Sequence, residues 1–196
     1  MGSPAKGIPQ KYTYEDYLTW PDDERWEVID GEAYALTPAP TTRHQRISRE
    51  LGRIVVSFFR GKTCEPFSAP IDVVLDDRNI VQPDMLVVCD PSRVTEKNIQ
   101  GAPDLVVEIL SPSTSIKDRR EKRRLYEQFG VREYIIIDPS GEAAERFALI
   151  EGRYGAPDIF NWDETLASSA FPELTMSLWE VFGKELPPTT DSSIPD

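Results

Sequence analysis

The sequence predicts an α/β fold, and three neighbouring stretches carry this prediction. Residues 103–111 form an almost uninterrupted apolar run between turns that contain glycine and proline, which is typical of a strand buried on both faces. A basic amphipathic helix follows and ends near Phe129, before Gly130. Residues 133–138 then form a second buried strand. Strand, helix and strand in succession imply a right-handed parallel crossover.

The N-terminal third of the chain predicts two helices and a hairpin. Thr13 has the side chain of an N-cap and two acids follow it, so a short helix is expected there. Strands at 26–29 and 32–36 flank Asp30-Gly31, the strongest two-residue hairpin signal. Helical spacing of apolar residues from 42 or 43 to Phe59 predicts the first long helix. Its predicted inner face consists of Ile47, Leu51, Ile54, Val55 and Phe58.

A bend is predicted within the next pair of strands. Residues 71–75 and 80–88 have the strand pattern, but Pro83 interrupts the second run. A proline there implies an edge, a bulge or a bend, and a bend would turn Asp84 out of the ladder toward a site. The alternative is an ordinary edge strand with an exposed Asp84.

Three further elements complete the prediction. Residues 89–100 have the composition of a polar loop, and residues 144–150 have that of a strand that ends at the turn Glu151-Gly152. The stretch 171–182 is expected to hold a last strand and a short helix.

Length and composition indicate one domain. The 196 residues are enough for one core and too few to favour two, so a single domain is expected over 12–184. Residues 1–11 look like an expression scar with an N-terminal arm, and the Pro-rich stretch 185–196 like a disordered tail. No apolar stretch approaches the ~18 residues that span a bilayer. Without a signal peptide, a soluble, cytoplasmic protein with no membrane partner is expected.

Cysteine and histidine usage argues against a zinc protein. Cys64 and Cys89 have no metal-type spacing, and His44 is the single histidine. Both cysteines are therefore expected to be inert packing residues.

The charge is strongly negative but unevenly spread. A formal net charge of -12 argues against a protein that coats nucleic acid non-specifically, because neutralising phosphates requires Lys and Arg. The helix after the central strand nevertheless carries a basic stripe. It consists of Lys117, Arg119, Arg120, Lys122, Arg123 and Arg124. Its four arginines form either a solvated face or a face that contacts phosphates.

Glu108 is the strongest functional candidate because it interrupts the most apolar strand of the chain. Burying an ionised carboxylate is costly, so a metal ion, a lysine or an arginine is expected against it. Asp104 points to the same face but lies ~13 Å away along the strand, so the two cannot hold one ion. A second acid must come from a neighbouring element, and Asp84 on a bent strand is the natural choice.

Lys122 falls on the inward stripe of the following helix. Steps of three and four residues relate it to Asp118, Leu125 and Tyr126. It is therefore either a structural charge partner of Asp118 or Glu108, or a catalytic cation beside a metal site.

His44 and Glu50 lie at the edge of the first long helix's apolar stripe. His44 has the position of a helix-start residue. Glu50 is either a solvated flanking acid or an accessory acid of a metal site.

Together these residues resemble the PD-(D/E)XK nuclease superfamily, and most closely its bacterial restriction endonuclease family called Uma-two. The resemblance covers about residues 14–182. Its most specific part runs from residue 101 to 114, through Asp118, Lys122, Tyr126 and Gly130, to residues 133–139. The hairpin at 27–32 and the proline-rich turn before His44 also match.

This resemblance implies a restriction-endonuclease-like core, a mixed β-sheet flanked by α-helices, in which Asp84 and Glu108 hold Mg²⁺ or, as a substitute, Mn²⁺. The superfamily lysine usually stands two residues after the second acid, where this chain has Leu110. The resemblance implies that Lys122 replaces it from the next helix. Asp118 could then hold Lys122, and Tyr126 could hydrogen-bond nearby.

Three hypotheses about function result. The first is a Mg²⁺-dependent endonuclease acting on DNA, in which the ion polarises the phosphate and lowers the pKa of a bound water, while Lys122 orients that water or stabilises charge on the phosphate. The second is a non-catalytic module that binds nucleic acid or protein, favoured by the negative charge and the missing Glu-x-Lys triplet. The third is a homodimer with a structural role, with Trp162 and Trp179 as exposed interface aromatics.

Overall fold

The described part of the chain forms a large mixed sheet, a smaller sheet and a two-stranded sheet, with helices against them. The computed structural model describes residues 11–21, 23–112 and 114–186. Most of the predicted N-terminal arm (1–11) and tail (185–196) lies outside the described residues. The helices are α1 (Tyr14–Tyr17), α2 (Thr42–Phe59), α3 (Ser115–Lys117), α4 (Arg123–Phe129) and α5 (Leu178–Phe182), with a 3₁₀ turn at Pro91–Arg93 and a π-helical turn at Asp118–Lys122.

The strands, in chain order, are β1 (Trp26–Ile29), β2 (Glu32–Ala35), β3 (Glu65–Ser68), β4 (Val73–Asp76), β5 (Asn79–Val81), β6 (Met85–Val88), β7 (Ile99–Gln100), β8 (Leu105–Ile109), β9 (Glu133–Asp138), β10 (Ala143–Ile150), β11 (Arg153–Tyr154), β12 (Asp158–Asn161), β13 (Thr165–Ala167) and β14 (Thr175–Ser177).

The large sheet has β8 near its centre. Its order is β11-β10-β9-β8-β6-β3, and β12 also pairs with β10. Strands β8 and β9 are parallel, whereas β6 pairs with β8 in the antiparallel direction. The predicted mixed sheet flanked by helices and the predicted parallel strand pair are thus confirmed. Every residue of β8 is buried, as expected for a strand covered on both faces.

The bend at Pro83 separates two sheets. The sequence pattern predicts one strand over 80–88, but β5 belongs to the smaller sheet, of order β2-β1-β5-β4-β7, and β6 to the large one. The change of sheet occurs across the three residues between them, of which Pro83 cannot donate a ladder hydrogen bond. The predicted bend is therefore confirmed, and Asp84 lies directly after it.

Helix α2 covers one face of the large sheet. Its buried residues are Ile47, Leu51, Val55 and Phe59. The predicted Ile54 and Phe58 are only partly buried, and Phe59, which was not predicted, is buried. The buried residues pack against Val107 and Ile109 of β8 and against β6 and β9. Thr41 caps the helix by accepting a hydrogen bond from the N–H of His44, so His44 lies in the first turn.

The opposite face of the sheet packs against α4. Leu125 and Tyr126 contact a buried cluster that includes Val106 and Leu110. The helix ends as predicted, because Gly130 adopts a left-handed conformation with φ 78° that favours glycine. A π-helical turn over Asp118–Lys122, which periodicity did not predict, adds a residue to the turn and leaves both Asp118 and Lys122 buried.

Several predictions outside the core need correction. The expected loop 89–100 contains the 3₁₀ turn and β7, and the pattern gave no sign of β3. Cys64 and Cys89 are not inert packing residues, because they form a disulfide across β3 and β6. Trp162 and Trp179 are half-buried rather than exposed. These two side chains therefore do not support the homodimer, which stays a prediction. None of the described helices is long and apolar enough to cross a membrane.

The packing of α2 gives a stability prediction. Leu51 is 0% exposed and Val56, on the opposite side of the helix, is 45% exposed. Leu51→Ala leaves a cavity against the sheet and should lower the free energy of unfolding by about 2–5 kcal/mol. Val56→Ala should change it by less than about 1 kcal/mol. Urea denaturation measures both, and equal losses for the two variants would contradict this packing.

Candidate active site

A cleft of about 470 Å³ opens between the proline-rich segment before α2 and the ends of β6 and β8. Leu36 to Thr41 form one wall. The lining also includes His44, Asp84, Glu108, Asp118 and Lys122, together with Arg25 and Arg43. Four elements of distant sequence position therefore contribute side chains to one cavity.

Asp84 enters the cleft because the chain bends at Pro83. Met85 pairs with Val107 in the β6–β8 register, so the next pair along brings Asp84 beside Glu108. Asp84 Oδ2 accepts a hydrogen bond from the Ile109 N–H at 2.8 Å, and its Oδ1 lies 3.3 Å from His44 Nε2. Burial lowers the pKa of His44, but hydrogen bonding and the charge of Asp84 outweigh it, so that this pKa is raised.

Glu108 lies inside the protein at the inner end of the cleft. Its side chain is 5% exposed, and Oε1 accepts hydrogen bonds from Lys122 Nζ at 2.8 Å and from Tyr126 OH at 2.9 Å. Burial raises the pKa of Glu108 to about 8; the charge of Lys122 opposes the rise, and Asp118 and Asp84 add to it. Among the alternatives that the sequence leaves open, a lysine lies against Glu108.

Lys122 is an ammonium held among carboxylates. Its side chain is 3% exposed, and Nζ lies 2.6 Å from Glu27 Oε1, 2.8 Å from Glu108 Oε1 and 3.6 Å from Asp118 Oδ1. Burial lowers the pKa of Lys122, but the three carboxylates outweigh this effect and hold it well above its ordinary value. Lys122 therefore stays charged in the folded protein.

Asp118 and Tyr126 come from the same helical segment as Lys122, and Asp118 lies near its ammonium while Tyr126 bonds to Glu108. Asp118 is 1% exposed, and within the described residues its Oδ1 has no hydrogen-bond partner. Burial raises the pKa of Asp118. Tyr126 donates to Glu108, and burial likewise raises its pKa, so it stays a hydrogen-bond donor. The structure thus brings together five of the predicted site residues: Asp84, Glu108, Asp118, Lys122 and Tyr126.

Glu27 belongs to this cluster although sequence reasoning placed it only in the hairpin. It is 0% exposed, and its two oxygens contact Lys122 and Lys117, each at 2.6 Å. Burial raises the pKa of Glu27, but the two lysines outweigh it and lower the pKa overall. The available signal was an acid in a strand whose neighbours Val28 and Ile29 are apolar, the same signal that identified Glu108.

Glu50 is not brought to the cleft. It pairs with Arg49 and Arg53 on the surface of α2, at 3.1 and 3.0 Å. Hydrogen bonds from these arginines lower its pKa. An accessory role for Glu50 at a metal site stays a prediction, and the contacts of Glu50 do not support it.

The four arginines of the basic stripe lie outside the cleft lining. Arg119 pairs with Glu145 and Asp138, Arg124 pairs with Asp30, and Arg123 lies over the Phe147 ring. Arg120 is exposed. Much of the stripe's charge is therefore matched within the protein, and its contact with nucleic acid stays a prediction.

The donor set suits a hard divalent cation. Asp84 and Glu108 supply carboxylate oxygens from adjacent strands to one cleft, and Asp84 is 20% exposed, so solvent reaches it. In the described part of the chain no three His, Cys, Asp or Glu side chains are grouped to hold an ion. Mg²⁺ is usually bound by one or two protein carboxylates, and waters and phosphate oxygens complete its coordination shell. Asp84 and Glu108 are therefore the residues whose chemistry fits Mg²⁺.

Comparisons with known proteins give the family from a family model and the fold from a solved structure. The model of the family Uma2, described as "Putative restriction endonuclease", matches residues 14–179. The uncharacterized protein slr1290 of Synechocystis sp. is 35% identical over 127 residues, which span 63% of this chain and 66% of that protein. A crystal structure from Anabaena variabilis, described as a "putative nuclease belonging to DUF820", shares the fold with a TM-score of 0.73. It is 22% identical, and the match covers 87% of this chain and 97% of that one.

The raised pKa of Glu108 predicts a pH dependence of stability. Its pKa is about 8 when folded, against an ordinary value of 4.5. Between these values the folded state keeps a proton that the unfolded chain releases, so stability falls as the pH rises. In EDTA, the wild type should lose up to about 1.4 kcal/mol per pH unit more than Glu108→Gln does.

Urea unfolding between about pH 5.5 and about pH 7.5 measures this difference. Glu173→Gln serves as the control, because the Glu173 side chain is 87% exposed, and it should follow the wild type. Identical pH dependences for the wild type and Glu108→Gln would contradict the burial of a protonated Glu108.

Proposed function

Because the chain belongs to the Uma-two (Uma2) family of restriction endonucleases, we propose that it is a Mg²⁺-dependent endonuclease that hydrolyses DNA phosphodiester bonds. The observation that carries the proposal is the position of Lys122. Its ammonium contacts Glu108 at 2.8 Å in the cleft that Asp84 also lines. A lysine beside two acids is thereby available although Leu110 occupies the usual lysine position.

Asp84 and Glu108 would hold the ion. The Ile109 N–H fixes Asp84, and Tyr126 OH fixes Glu108, so neither carboxylate has to be ordered when the ion binds. Bound Mg²⁺ would polarise the phosphate and make a nearby water more acidic. Its positive charge would also favour the ionised form of Glu108, whose pKa is raised to about 8 without it.

Lys122 would act on the reacting groups by position and charge. An ammonium has three N–H donors, and Glu27 and Glu108 accept from it at 2.6 and 2.8 Å. Asp118 at 3.6 Å is too far for a hydrogen bond. The third donor can therefore serve a water or a phosphate oxygen in the cleft, where it would stabilise developing negative charge.

One observation favours a second function, a non-catalytic module that binds nucleic acid or protein on the same fold. Lys122 already has two carboxylates within 2.8 Å, and Lys122 and Tyr126 both bind Glu108. A cluster satisfied in this way can be stable without an ion. Metal binding and cleavage separate the two functions.

Loss of either acid should abolish both metal binding and cleavage. Asp84→Ala and Glu108→Ala each remove one of the two protein donors, so calorimetric titration with Mg²⁺ or Mn²⁺ should show no binding, and supercoiled plasmid should stay intact. Asp77→Ala, in an exposed turn between β4 and β5, is the matched control and should bind and cleave as the wild type does. Cleavage that survives either acid substitution would overturn the nuclease proposal, and a wild type that binds no ion even with DNA would favour the binding module.

Lys122→Met should separate catalysis from metal binding. The methionine keeps the length of the side chain but removes its charge, so kcat on DNA should fall by about 10²–10⁴-fold, the usual range for such groups. Mn²⁺ affinity should be retained, because Lys122 is not a ligand. Wild-type kcat in a folded Lys122→Met protein would show that this lysine is only a structural partner of Glu108.

A further inference from the structure

Glu27 is the least exposed charged group of the cluster and comes from the smaller sheet. It lies in β1, which pairs with β5 through Val28 and Ile80, so its backbone is fixed independently of α4 and β8. Its carboxylate nevertheless reaches Lys122, which stands on the helical segment after the central strand. Through Glu27, the smaller sheet thus sets the position of the Lys122 side chain beside the large sheet.

Three hydrogen-bond donors meet at this carboxylate. Oε1 accepts from Lys122 Nζ at 2.6 Å and from the Gln82 N–H at 3.0 Å, and Oε2 accepts from Lys117 Nζ at 2.6 Å. Gln82 is two residues before Asp84, on the bend that carries this acid into the cleft. One carboxylate therefore fixes the bend, the lysine at Glu108 and a second lysine.

The direction of these contacts decides which N–H of the Lys122 ammonium remains available in the cleft. Glu27 and Glu108 approach Nζ from different strands and accept two of its N–H groups. Without Glu27, Nζ could turn toward Asp118, whose Oδ1 has no hydrogen-bond partner within the described residues. The remaining N–H would then no longer be available in the cleft.

We propose that Glu27 is a positioning residue, which holds Lys122 so that one N–H of its ammonium faces a phosphate oxygen or water in the cleft. Glu27 itself does not line the cleft. A lysine two residues after Glu108 would be held by the strand itself, but that position is Leu110. Lys122 comes from a helical segment instead, and Glu27 supplies the rigid support that the strand would have given. The kinetic part of this inference rests on the proposed nuclease function, whereas the placement of Lys122 does not.

Two substitutions separate positioning from charge balance. Glu27→Asp keeps the negative charge but retracts the carboxylate by one methylene, and Glu27→Gln keeps the length but removes the charge. Glu27→Asp should lower kcat on DNA by about 10–100-fold, as loss of such supporting contacts usually does, with KM and Mn²⁺ affinity unchanged. If Glu27 only balanced charge, Glu27→Asp would keep the wild-type kcat, and that result would overturn the proposal.

A double-mutant cycle shows whether the effect passes through Lys122. On the Lys122→Met background, Glu27→Asp should cause no further loss of kcat, because the group that it positions is gone. A further loss of full size would overturn the proposal. Glu32→Asp, in the other strand of the same hairpin, is the matched control; Glu32 is exposed, pairs with Lys11, and its substitution should leave kcat unchanged.

A spectroscopic measurement makes the result independent of cleavage. In protein labelled with ¹⁵N-lysine, Lys117 and Lys122 should give protected ammonium signals, assigned through Lys117→Met and Lys122→Met. Glu27→Asp and Glu27→Gln should shift both signals, while Glu32→Asp should shift neither. If the wild type cuts no DNA, the nuclease proposal fails, but the placement of Lys122 by Glu27 can still be tested. An unchanged Lys122 signal in folded Glu27→Asp would overturn the positioning role of Glu27.

Discussion

Lys122 is a buried ammonium with carboxylates of Glu27 and Glu108 within 2.8 Å and that of Asp118 at 3.6 Å. A charge removed from water is tolerated only when partners replace its hydration, and removing one partner of such a group typically costs about 3–5 kcal/mol. The strand of Glu108, the hairpin of Glu27 and the helical turn of Asp118 must therefore come together around Lys122. This requirement fixes how the two sheets and the helix meet, and with it the shape of the cleft.

The same cluster explains how a lysine can reach Glu108 although Leu110 occupies the position two residues after it. Leu110 packs with Val106 and Leu125 in the core, on the face of β8 where a lysine would otherwise stand. A cation from the neighbouring helix reaches Glu108 instead, and the π-helical turn at Asp118–Lys122 keeps both of its ionisable ends buried. Burial raises the pKa of Glu108 and the nearby acids add to the rise, so a divalent ion would be the charge that stabilises its ionised form.

Much of this arrangement could be predicted from the sequence because its signals are local. An acid in an apolar strand, a proline before an acid and a lysine on an inward stripe identified Glu108, Asp84 and Lys122. Glu27 gave the same kind of signal, but its importance comes from contacts 90 and 95 residues away along the chain, with Lys117 and Lys122. Contacts between distant residues also decided the Cys64–Cys89 disulfide and the pairing of Arg119 with Glu145, which no local pattern indicates.

A bound ion can be located directly in crystals of the wild-type protein soaked in Mn²⁺, from its anomalous scattering. We expect a peak in the cleft in contact with the carboxylates of Asp84 and Glu108, with Lys122 still hydrogen-bonded to Glu27. The absence of a peak between these two acids, in crystals where Glu108 remains bonded only to Lys122 and Tyr126, would contradict it. Glu108 would then be a structural acid, and the cleft would have to serve binding rather than hydrolysis.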